Sequence, residues 1–169
     1  DVKTVILDLD TGERVVHFSE VDVSTDLVDS HMLMLHPVTP LRLGGRYVVG
    51  IRGVVDGDSD VIPASDAFVA LRDRIPSEDP RIESRRELYD ETLFPAVEAT
   101  GIARSELQLA WDFVVASQEG ISGKAVLMRD DLYTRVGESG PDYVIDSVEI
   151  APNDTTARRI KGHMTVPLY

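Results

Sequence analysis

Three carboxylates at alternate positions, Asp56, Asp58 and Asp60, are interleaved with Gly57 and Ser59 and form the sharpest chemical constellation in this sequence. Oxygen-rich spacing of this kind opens calcium loops, where a hard cation takes ligands from the first, third and fifth positions and a bidentate Glu closes the twelfth. Counting from Asp56, that closing position is Ala67, with Asp66 just before it, so the loop is incomplete. The competing reading is a solvated hairpin turn, because Asp and Gly supply local hydrogen bonds and backbone freedom. Both readings stay open here: calcium held by Asp56, Asp58 and Asp60, or a turn. A serine hydrolase needs Gly-x-Ser-x-Gly on a strand-to-helix bend. Gly137-Glu138-Ser139-Gly140-Pro141 lacks the final spacing and follows a helical pattern, so Ser139 reads as a turn residue. The histidines, His17, His31, His36 and His163, form none of the pairs that set two imidazoles on one helix or strand face.

Composition narrows the partners. The formal net charge of -13 argues against nucleic acid and anionic membrane surfaces, which the field of the whole molecule would repel. The absence of cysteine removes disulfides, thiolate nucleophiles and Cys-ligated zinc. No run approaches the ~20 apolar residues of a membrane span. The chain starts at Asp1 and stops at Val166-Pro167-Leu168-Tyr169, inside what reads as a strand. Both ends read as cut, and the expectation is a piece of a longer polypeptide.

Positioning these residues requires strands. Val5 to Leu9, the Asp10-Thr11-Gly12 turn and Val15 to Phe18 predict a hairpin, and 24–30 is polar, a helical turn or loop. Leu33 to Leu35 reads as a strand that Pro37 and Pro40 confine to an edge. Tyr47 to Val55 and the run Ile62 to Phe68 read as further strands flanking the acidic loop. Leu41-x-x-Gly44-x-x-Tyr47 fits the tyrosine corner by which sandwiches fasten a connecting loop. Asp79-Pro80 predicts a capped helix that Pro95 kinks and Thr100-Gly101 ends. Leu107, Leu109, Trp111, Phe113 and Val115 are expected on one strand face, with Trp111 as a core anchor. Ser122 is expected to cap a second helix running to Val136, before strands Tyr143 to Ile150 and Ile160 to Leu168. The fold class expected is α+β, an immunoglobulin-like antiparallel β-sandwich over 1–75 with two helices inserted in a 76–169 extension.

Leu35-His36-Pro37, Pro40-Leu41, Gly45-Arg46-Tyr47-Val48-Val49, the Asp56 to Asp60 loop and Ile62-Pro63 resemble the immunoglobulin-like region near the start of secreted bacterial lipase-like and esterase-like proteins. The run Trp111-Asp112-Phe113-Val114-Val115-Ala116-Ser117 and the closing Gly162-His163-Met164-Thr165-Val166-Pro167 continue the resemblance. It implies a secreted, non-catalytic accessory region whose partner is a downstream α/β-hydrolase domain of the same polypeptide. The alternative expectation is a calcium-binding extracellular adhesion or matrix module.

Overall fold

The computed structural model describes residues 3–27 and 31–169, so the last part of the polar stretch 24–30 lies outside the described residues. Among the described residues the fold is mixed α+β with three antiparallel sheets, and the chain divides into two compact units, Asp1–Ser117 and Gln118–Tyr169. The boundary thus falls after Ser117 rather than near 75, because the helices and the strand that follow residue 75 share one core with the first strands.

In the first unit, β1 (Thr4–Asp8) and β5 (Leu107–Val114) flank β4 (Arg46–Arg52). β4 is central because Tyr-Val-Val-Gly-Ile is apolar at every position, so it can be covered on both faces. Val5, Leu7 and Val48 face the helices, while Ile6, Tyr47, Val49 and Ile51 face the opposite way. Gly50 lies directly under a helix. A Cβ there would sit 3.1 Å from Val5 Cγ1 and 3.2 Å from Val97 Cγ1, so the missing side chain lets helix and sheet close up. The expected hairpin after β1 forms only at its root, where Leu7 bridges Arg14, before the chain departs into β2 (His17–Asp22). β2 pairs with β3 (Met32–Pro37) in a separate two-stranded sheet.

The stretch Ile62 to Phe68 is not a strand. Its second half enters α1 (Asp66–Arg72), whose first turn is capped by Ser65 Oγ accepting from the Phe68 N–H at 3.3 Å. Phe68 and Leu71 then recur at helical spacing and are buried. α2 (Pro80–Glu83) starts as the sequence predicts: Asp79 Oδ1 accepts from the Arg81 N–H at 2.9 Å and Pro80 occupies the first turn. α3 (Arg86–Leu88) leads into a π turn (Tyr89–Leu93) and then α4 (Phe94–Glu98). The Phe94 N–H reaches back five residues to Tyr89 O, so the distortion expected from Pro95 takes the form of a widened turn just ahead of the proline. The added residue lets neighbours Leu93 and Phe94 both be fully buried, each contributing about 2 kcal/mol of burial. Phe94 packs against Tyr89 and Phe68 at centroid distances of 5.3 and 6.0 Å.

β5 departs from simple alternation. A bulge pairs Leu107 with Arg52 and Leu109 with Ile51, leaving Gln108 as the extra residue. Leu107 therefore joins Ala110 on the helical face, while Trp111, Phe113 and Val115 pack against the opposite cluster with Leu35 and Leu41. The Gln108 side chain takes over the lost pairing: its Oε1 accepts from the Val54 N–H at 2.6 Å and its Nε2 donates to Val54 O at 2.9 Å.

The loop before β4 is fastened as Leu41-x-x-Gly44-x-x-Tyr47 implies. Tyr47 Oη accepts from the Arg42 N–H at 2.8 Å, and the ring is buried. A Cβ at Gly45 would lie 2.9 Å from Tyr47 Cε2 and 3.0 Å from Arg42 O, so only glycine lets the ring lie against the chain here.

The second unit contains α5 (Gln118–Val136) and a hairpin of β6 (Tyr143–Asn153) and β7 (Thr156–Met164). α5 begins four residues before Ser122 and ends where expected, with the Gly137 N–H donating to Tyr133 O in a left-handed residue. β7 ends at Met164 rather than running to Leu168. None of the three elements has a buried residue.

Candidate functional site

The structure gives Asp56 a role within its own turn. One carboxylate oxygen, Oδ1, accepts from the N–H groups of Asp58 at 3.0 Å and Asp60 at 2.9 Å, and the Asp56 N–H donates to Asp60 O at 2.9 Å. Ser59 takes a left-handed conformation, and Val55 bridges Val61 across the base. Local backbone donors thus occupy one of the two carboxylate oxygens of Asp56. Asp58 and Asp60 are exposed, and among the described residues no group of three or more His, Cys, Asp or Glu side chains is placed to hold a metal ion.

Ser139 lines an open hollow of about 480 Å³ between the end of α5 and residues 165–167, with Arg135, Asp142 and Pro167 on its walls and no histidine among the lining residues. The histidines lie elsewhere and hold backbone or neighbours. His17 Nδ1 donates to Val15 O at 2.9 Å, leaving Nε2 to accept from Thr4 Oγ1 at 2.9 Å. His31 Nε2 donates to Thr25 O at 3.0 Å. The His36 ring stacks on Phe18, with Nε2 at 3.0 Å from Glu20 Oε1 but off the hydrogen-bonding direction. His163 Nδ1 lies 3.4 Å from Asp146.

The enclosed carboxylates of the first unit form the arrangement that sequence reasoning missed. Asp112, on β5, accepts from Arg46 Nη2 at 2.7 Å on one oxygen and from Arg85 Nη2 at 2.7 Å on the other, tying the sheet to the helical layer. Burial pushes this carboxyl up, but the two guanidiniums outweigh it and hold it below the usual range. Asp90 is held between Arg104 Nη1 at 2.5 Å and Arg74 Nε at 3.2 Å, with the same balance of burial overcome by positive charge. Arg104 also donates through Nη2 to Leu71 O at 2.6 Å, satisfying the end of α1, and lies 4.0 Å from the Phe94 ring centroid. Asp8, the one buried charged residue among those described, accepts from Arg42 and from the N–H groups of Asp10 and Thr11. Burial raises it and these donors lower it, with a net depression.

Comparison of the chain with protein-family models, with curated proteins and with solved structures finds no match. The site chemistry therefore rests on geometry. Asp8, Asp90 and Asp112 are each held below the usual carboxylate range and committed to arginines or backbone donors. Sequence carried one hint, the near-exclusive use of Arg over Lys. The partners themselves lie 27 to 66 residues from Asp112 and are invisible to local spacing.

Proposed function

We propose that this chain is a non-catalytic accessory region of a secreted bacterial lipase- or esterase-like hydrolase, built on an immunoglobulin-like sandwich. The observation that carries this reading is the clamping of Asp8, Asp90 and Asp112. A body whose enclosed acids are committed to arginines, with Asp112 bracing the sheet against the helical layer, is suited to holding a neighbouring domain rather than to bond-making. The motif resemblance supplies the identity of that neighbour, an α/β-hydrolase domain of the same polypeptide. The tyrosine corner at Tyr47 adds support, since such corners secure loops in immunoglobulin-like sandwiches.

The test has two arms. A chromogenic ester assay on the 169-residue chain is expected to show no turnover, and the reading frame beyond Tyr169 is expected to encode a nucleophile elbow. In that longer polypeptide, Asp112→Asn and Phe94→Ala should lower the melting temperature of the hydrolase activity without altering its KM. Turnover by the chain alone that disappears in Ser139→Ala would overturn the reading, as would a downstream sequence without the elbow.

A further inference from the structure

The hairpin of the second unit has one strongly apolar face. Tyr143 lies opposite Met164 and Val148 opposite Ile160, and the bulge at Asp146 returns Val148 and Ile150, the latter opposite Arg158, to the side that carries Tyr143 and Ile145. Their exposures run from 50% for Ile145 to 71% for Tyr143. The opposite face is polar: Arg159 Nη1 donates to Glu149 Oε2 at 2.9 Å, and Ser147 pairs across from Lys161. A two-stranded ribbon with both faces in water is marginal at best, so this alternation makes sense only with a cover over the apolar side.

We propose that a second copy of this chain covers it, the two hairpins packing face to face about a twofold axis. Two observations select this occupant. The first is area: the six residues leave on the order of 700 Å² open per copy, so a symmetric pair can bury up to about 1,400 Å², within the range of stable interfaces. The second is charge. The hairpin carries Asp146, Glu149 and Asp154 against Arg158, Arg159 and Lys161 and is neutral, although the chain as a whole is at -13. Residues 118–169 hold eight acidic and six basic residues, a net of -2, which leaves -11 on the remainder. A contact through the hairpin therefore joins the least repulsive surfaces of two otherwise strongly acidic molecules. The face is also largely self-complementary: its apolar side chains meet their own copies, and Arg158, opposite Ile150 at one end, carries its guanidinium to the rim. This inference does not depend on the hydrolase assignment.

Sedimentation equilibrium of the 169-residue chain between about 1 and 200 µM tests it, a concentration range that brackets the micromolar affinities open to interfaces of this size. The expected result is a concentration-dependent mass rising toward twice the 18.6 kDa of one chain. Val148→Glu and Ile160→Glu should each weaken association at least tenfold, whereas Ser147→Glu on the polar face should not. Should the glutamates also loosen the ribbon, chains carrying Ile150→Glu and Ile150→Lys are each expected to be monomeric alone and to pair when mixed. A wild-type chain that stays monomeric throughout overturns the proposal. A dimer indifferent to both Val148→Glu and Ile160→Glu overturns it as well.

Discussion

Replacing Asp112 by Asn probes the brace between sheet and helices while keeping its shape. Asp112 is 14% exposed and accepts three bonds, from Arg46 Nε at 3.0 Å, Arg46 Nη2 at 2.7 Å and Arg85 Nη2 at 2.7 Å. An amide retains one acceptor oxygen and turns an NH₂ group toward the second guanidinium, so one arginine loses its partner and meets a donor. Charge-assisted bonds of this kind are worth about 1.5–3 kcal/mol, but the arginines are 38% and 47% exposed and regain water when released. The expected loss is therefore about 1–2 kcal/mol, short of the full penalty for breaking an enclosed pair. In thermal terms that is a drop of roughly 3–8 °C for a unit of this size. Urea melts at pH 7, 5 and 3 provide the check. Because the folded carboxyl is depressed, its contribution is whole above the unfolded value of about 3.9 and fades as pH falls through the folded value. The gap between wild type and variant should be equal at pH 7 and 5 and narrower at pH 3. A gap of the same size at pH 3 would refute the electrostatic account and leave only packing.

Three further outcomes are expected. Tyr47→Phe removes the acceptor of the Arg42 N–H and should cost about 1–2 kcal/mol in urea melts, with the loop 38–46 exchanging its amide hydrogens faster. Phe94→Ala, at a fully buried side chain in contact with Tyr89, Phe68 and Arg104, should cost about 3–5 kcal/mol, and a loss under 1 kcal/mol would show that the aromatic cluster does not organise the helical layer. Asp56→Ala should destabilise by about 1 kcal/mol, because two turn N–H groups lose their acceptor, while Asp58→Ala and Asp60→Ala stay within about 0.5 kcal/mol. Millimolar calcium should leave the melting temperature of all four proteins unchanged. A rise of several degrees in wild type that Asp58→Ala abolishes would restore the cation reading of this loop.

Features fixed by neighbours in sequence were legible in advance. Asp79 and Pro80 announce a helix start, Gly137 its end, and Tyr47 finds its donor only five residues upstream. Features that depend on distant pairing were not. The strand expected over Ile62 to Phe68 failed because Ser65-Asp66 is also a cap, and burial of Phe68 and Leu71 against the sheet decided between two short-range readings. Leu107 leaves the face that alternation with Leu109 and Trp111 predicts because the bulge at Gln108 is set by pairing with β4, which no spacing within β5 reveals. The acidic loop is chemically ambiguous in sequence because the backbone path that points the Asp58 and Asp60 N–H groups at Asp56 Oδ1 is not specified by composition.

The π turn at Tyr89–Leu93 means that this helical stretch holds one residue more than its regular winding requires. Removing a single residue there, such as Glu91, would tighten the turn and rotate the segment after it by about 100°, taking Val97 away from Gly50 and Phe94 away from Phe68. The stretch thus works as a length adjuster: the surplus residue lets the segment before the turn and the segment after it address the same sheet, and any homologue lacking it must restore that phase by a compensating change beside Pro95.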